Sequence, residues 1–96
     1  MFRLTSLAIL EHREGNASAA KKALDELVAN VGDAALYQQA EVMAQWGRAD
    51  DAVARLWNAR AVGDSGLIYL ATDPLLDPVR TEPRFAAVLK LIDNPA

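Results

Sequence analysis

From Phe2 to Arg13 the apolar residues Leu4, Leu7, Ala8 and Leu10 recur at helical spacing, and Gly15-Asn16 supplies a stop and a fresh start. This predicts a first helix. Residues 17–30 repeat the pattern, with Ala20, Leu24, Leu27 and Val28 on one side and Lys21, Lys22, Asp25 and Glu26 on the other. Gly32 is expected to end that helix in left-handed geometry, and Asp33 to cap the next. A third helix is read over 34–46, burying Leu36, Ala40 and Met43. A fourth spans about 49–62, with Ala52, Leu56 and Ala59 inside and Asp50 and Asp51 in its first turn, where negative charge complements the helix dipole. Gly63-Asp64-Ser65 repeats the stop and start, and Leu67 to Ala71 opens a fifth helix that Asp73-Pro74 cuts short.

Beyond it, Pro74, Pro78 and Pro83 each follow an acidic residue, which predicts a single helical turn and then a final helix capped by Thr81 or Glu82. Phe85, Val88, Leu89 and Ile92 are spaced to close the open end of the stack. The chain also echoes itself. Gly15, Ala17, Ala20 and Leu24 return 32 positions on as Gly47, Ala49, Ala52 and Leu56, and Gly32-Asp33 with Leu36 and Ala40 returns as Gly63-Asp64 with Leu67 and Ala71. A period of that length predicts stacked, antiparallel helical hairpins, an all-α fold that presents a surface to partners. The units are residues 1–32, 33–64 and 65–96 of one domain.

Composition sharpens this picture. Hydrophobic residues make up 52% of the 96 and aromatic ones only 6%, so the core is expected to be aliphatic and alanine-rich. The net charge of −3 offers no basic face for phosphates, which argues against nucleic acid and against an anionic membrane surface. With no cysteine, disulfides and thiolate metal sites are excluded, and a cytoplasmic protein is the simplest reading. The apolar-leaning opening ends at Glu11-His-Arg-Glu14 with no small-residue cleavage site, so it reads as helix and not as a signal.

With the glycines aligned, the chain resembles the tetratricopeptide repeat, a 34-residue helix-turn-helix unit. Leu4, Leu7, Ala8, Gly15, Ala20 and Leu24 stand at its signature places in the first unit, and Leu36, Ala40, Gly47, Ala52, Leu56 and Ala59 in the second. Departures are Glu11 in place of an aromatic, Gln39 in place of a leucine, Leu27 in place of alanine, and a spacing two or three residues short. The stretch from Tyr37 to Gly47, with Asp64 to Leu70, Asp73 to Arg80 and Glu82 to Phe85, is similar to the C-terminal end of repeat regions in bacterial multidomain regulators. The resemblance implies a protein-binding module, either a piece of a larger protein or a short stand-alone relative.

In that family the first helix of each pair lines a concave groove. By position this implies a protein- or peptide-binding surface of Thr5, Ile9, His12, Tyr37, Glu41, Gln45 and Ile68, with Phe2, Arg13 and Thr72 extending it. The other reading of these residues is a solvated helix face. The lysine and asparagine set that grips a C-terminal carboxylate in chaperone-binding relatives is absent. Self-association through Phe2 and Ile9 is a second reading, testable as a homodimer. Trp46 is the better interface candidate of the two tryptophans, and Trp57 is expected to pack. Arg80 and Arg84 are expected to pair with Asp73, Asp77 and Glu82. No catalytic constellation is visible: His12 lacks a base-nucleophile pair, Asp50-Asp51 suit capping, and phosphate loops, nucleophile elbows and zinc helices are absent. No enzyme activity, cofactor or metal is expected.

Overall fold

Three helix ends in this chain close in the same way. At Gly15, Gly47 and Gly63 the backbone turns to positive φ, and the next amide reaches back five residues: Asn16 N–H to Glu11 O at 2.8 Å, Arg48 to Met43 at 2.9 Å and Asp64 to Ala59 at 2.9 Å. Glycine takes this geometry without a Cβ clash, so the sequence fixes where each helix stops. The computed structural model describes residues 2–93, leaving out the side chains at 2, 33, 34 and 93. Five α-helices result: α1 (Phe2–Arg13), α2 (Ala17–Val31), α3 (Leu36–Gln45), α4 (Ala49–Val62) and α5 (Pro83–Asp93). No strand occurs among the described residues.

Three 3₁₀ segments join them, at Gly32–Ala35, Ser65–Tyr69 and Pro74–Val79. Two correct the sequence reading. The third helix starts at Leu36 and not at Ala34, because Gly32, at φ 56° and ψ −129°, leaves α2 into a 3₁₀ turn instead of a left-handed close. The side chain of Asp33, expected to cap, lies outside those described. The expected fifth helix over 67–71 is a 3₁₀ turn. Asp64 caps it locally, accepting from Gly66 N–H at 2.8 Å, and Asp73-Pro74 follows before an α-helical ladder can form.

α1 packs chiefly on α2 and α3 on α4, and α3 also meets α1, α2 and the Pro74–Val79 segment. Helix α3 is therefore enclosed on nearly all sides, with Leu36, Tyr37, Ala40, Val42, Met43 and Ala44 buried. Ala8, Ala40, Ala52 and Ala59 are fully covered, small side chains that let the helices approach closely. Gln39, expected to be an outlier, is accommodated by hydrogen bonds: its Nε2 donates to Gly32 O at 3.1 Å and its Oε1 accepts from Arg55 Nε at 3.1 Å. At the far end Leu76, Val79, Phe85 and Val88 are buried, with Leu89 and Ile92 packed beside them, so the closing residues read from the sequence do close the stack. Glu82 receives the start of α5 through its carbonyl, which accepts from Phe85 and Ala86 N–H.

The inner stripe of α1 is rotated from the one expected. Thr5 and Ile9 are buried, at 4% and 6% exposure, whereas Leu10 is 51% exposed. Apolar residues occupy more than one side of this helix, so its orientation follows from contact with both α2 and α3. No helix of the described chain is long and apolar enough to cross a membrane.

Candidate functional site

Tyr37, Glu41 and Gln45 lie four residues apart on α3 and form one stripe along it. The structure lays the chain's own residues 73–75 over that stripe. The Tyr37 hydroxyl donates to Asp73 Oδ2 at 2.7 Å, Glu41 lines the same cavity as that carboxylate, and Gln45 Nε2 donates to Leu75 O at 2.9 Å. Gln45 Oε1 in turn accepts from the Arg13 guanidinium, which ties α1 to the same seam.

Two aspartates hold the stripe in place. Asp73 caps the Pro74–Val79 segment, its Oδ1 accepting from Leu75 N–H at 2.9 Å. Asp64 accepts from the Tyr37 main-chain N–H at 3.1 Å through Oδ2, so one carboxylate caps α3 from a distance and the 65–69 turn locally. Arg80 fastens the return of the chain. Its guanidinium bonds Asp77 Oδ1 at 2.7 Å and the carbonyls of Leu70, Ala71 and Asp73, and it stands over the Phe85 ring at 5.5 Å. The pairing expected of Arg80 is thus met by the Asp77 carboxylate and the Asp73 backbone.

The electrostatics of the stripe follow from burial. Removal from water, then the contact with Asp73, pushes Glu41 up to about 9, so this carboxyl holds a proton at neutral pH. Burial and the bond to Asp73 likewise raise the Tyr37 phenol. For Asp73 burial acts upward but is overcome by the hydrogen bonds from Glu41, Tyr37 and the Leu75 amide and by the charge of Arg80, leaving it below the ordinary range. A shallow cavity of about 390 Å³ opens here, lined by Tyr37, Glu41, Tyr69, Thr72, Asp73 and Pro74. Tyr69, which lines it, is 59% exposed, and its chain neighbour Ile68 is 75% exposed.

The structure therefore brings together Tyr37, Glu41 and Thr72 from the sequence-derived groove, joins Gln45 to Arg13 further along the same stripe, and buries Thr5 and Ile9 of α1 away from it. Thr5 and Ile9 belong to the core, which removes Ile9 as a self-association contact; the Phe2 side chain lies outside those described. His12 is exposed and stacks on Trp46, ring centres 5.4 Å apart. Trp46 spends its Nε1 on Ala8 O at 3.1 Å and is partly buried, so it joins α1 to α3, and Trp57 packs against the core as expected. Asp73 and Tyr69 were not among the expected site residues. An aspartate before proline is a capping signal in sequence, but its meeting with Glu41 is a tertiary fact.

A larger cleft of about 530 Å³ lies between α2 and α4, walled by Leu24, Val28, Met43 and Trp46. Two ion pairs lie within it, Lys21 with Asp25 and Arg48 with Asp51, both at 2.7 Å, and Arg55 bonds Gln39 Oε1 and the Asp51 carbonyl. No cluster of three or more metal-ligating side chains occurs among the described residues. No family model, curated relative or solved structure matches the chain.

Proposed function

We propose that this chain is a helical-repeat interaction module of tetratricopeptide type, acting in the cytoplasm without catalysis and contacting a partner protein through the surface around Ile68 and Tyr69. The observation that carries this reading is the exposure of two consecutive large apolar side chains, the second of which lines an open cavity. The register of glycines and leucines across two units, and the identical closing of three helices, support the repeat assignment. Much of the α3 stripe is engaged by residues 73–75, so the contact surface is displaced from the implied groove toward its edge. Tyr37 and Asp73 are hydrogen-bonded to one another, which fixes the floor of the cavity beside this surface.

Selection of peptides from a displayed random library against the whole chain tests this. Selected peptides should bind the parent and lose at least about tenfold in affinity for Ile68→Ser/Tyr69→Ser, a loss of about 1.4 kcal/mol. Equal binding by both would overturn the surface. A second reading uses the same exposed pair for self-association about a two-fold axis. Light scattering across a concentration series decides it: a dimer abolished by the double substitution supports it, and a monomer throughout removes it.

A further inference from the structure

The cleft of about 530 Å³ between α2 and α4 is apolar at its base and unevenly charged along its walls. Leu24 and Met43 are buried beneath it, while Val28 on the α2 wall is 43% exposed. Trp46 spends its Nε1 on Ala8 O, so what it offers the cleft is ring carbon. Lys21 pairs with Asp25 and Arg48 with Asp51, which leaves Arg55 as the lining cation without a carboxylate partner among the described residues. Arg55 is nevertheless held in place. Its Nε donates to the Oε1 of buried Gln39 at 3.1 Å and its Nη1 reaches the Asp51 carbonyl at 3.4 Å, whereas Nη2 has no hydrogen-bond partner among the described residues. A half-buried guanidinium fixed at Nε presents its outer edge, the fork that pairs a carboxylate through two parallel hydrogen bonds. We infer that this cleft is a docking groove, separate from the Ile68–Tyr69 surface, for an acidic amphipathic helix of a partner protein: apolar side chains of that helix lie on Val28 and Trp46, and one of its carboxylates takes the free edge of Arg55.

Shape and charge select this occupant. The lining runs from Lys21 to Ala29 on α2 and from Arg48 to Arg55 at the start of α4, in each case about two turns or about 11 Å. A trough of that length, walled by two helices and floored by Met43 and Trp46 of a third, suits a helix that lowers residues one turn apart into it. The sign follows from the lining. Three cations against two carboxylates leave one positive charge in excess, on a chain whose net charge is −3. The pairs Lys21–Asp25 and Arg48–Asp51 are exposed at the rim, where ion pairs contribute little and exchange partners readily. Arg55 is less exposed than Lys21 or Arg48, so a carboxylate placed there is better shielded from water. One excess charge is too few to hold a nucleic-acid backbone. A basic helix would set its own cations against Arg55, so the groove discriminates by sign. None of these lining residues also lines the cavity at Tyr69, which lets the two surfaces be tested apart.

The test uses the whole chain carrying Ile68→Ser/Tyr69→Ser, which removes the other surface, and a displayed library of 14-residue helices, the length of α4. The library has Leu, Ile or Phe at helical spacing and Glu, Gln or Lys beside them. Glutamate-bearing helices should be enriched, and should bind Arg55→Gln at least about tenfold more weakly. With Trp57→Phe in place, their binding should shift Trp46 emission to the blue. Val28→Asp, a polar change at an exposed position, should abolish binding, and it decides the question even if Arg55→Gln does not fold. Enrichment of lysine-bearing helices, no enriched helix, an unshifted Trp46 or unchanged binding by Val28→Asp would overturn the groove. Equal affinity for Arg55→Gln would overturn the carboxylate pairing.

Discussion

The Cβ that Gly66 lacks would lie 2.7 Å from the Cγ and Cδ1 atoms of Tyr37, so the ring of one residue occupies the side-chain space of the other. Tyr37 is thereby wedged between the 65–69 turn and Asp73, which aims its hydroxyl. Gly66→Ala should destabilise the fold by about 1–3 kcal/mol through overpacking, read as a lower denaturant midpoint. An unchanged midpoint would show that the turn yields freely.

Stability should depend on pH through Glu41. Its folded value, about 9, exceeds the ordinary 4.5, so the folded chain keeps a proton that the unfolded chain releases between these limits. The contribution is complete below 4.5 and fades as pH rises through the window to 9. Asp73, lowered in the fold, contributes the opposite way: its share is present above the ordinary 3.8 and is lost as pH falls through its folded value. Urea melts should therefore show stability declining from mildly acidic to alkaline pH, and Glu41→Gln should flatten that decline. A parent profile rising toward pH 9 would refute the assignment.

Arg80→Lys keeps the charge but not the fork that reaches three carbonyls, and should cost about 1.5–3 kcal/mol. Thermal melting of the parent, Arg80→Lys and Arg80→Met separates the contributions. If lysine restores parent stability, charge alone matters.

Asp64→Ala removes two caps at once, the amides of Tyr37 and Gly66, and should cost more than a single cap, about 2 kcal/mol in all. Asp64→Asn keeps one acceptor oxygen and should fall between alanine and the parent in calorimetry. Equal effects of the two substitutions would mean that one of the caps contributes nothing.

The helices were legible because their causes are local. Apolar spacing, the stops at Gly15, Gly47 and Gly63, and the prolines act within a few residues of themselves, so α1, α2, α4 and α5 fall where the chain's pattern puts them. The face that each helix buries was less legible. Leu4, Leu7, Ala8 and Leu10 form as good a stripe on α1 as Leu4, Thr5, Ala8 and Ile9 do, and only contact with two neighbouring helices selects the second. The same holds for α3, whose enclosure on most sides buries Gln39 beside the expected Leu36, Ala40 and Met43 and satisfies it from Gly32 and Arg55.

Sequence alone determined an all-helical chain, the places where most of its helices end, and the residues that close its far end. Tertiary structure decided that residues 73–75 lie along Tyr37, Glu41 and Gln45. That meeting joins positions more than 25 residues apart, and the protonation of Glu41 follows from it, since a carboxyl changes its proton affinity only when folding removes water and brings a second charge to it.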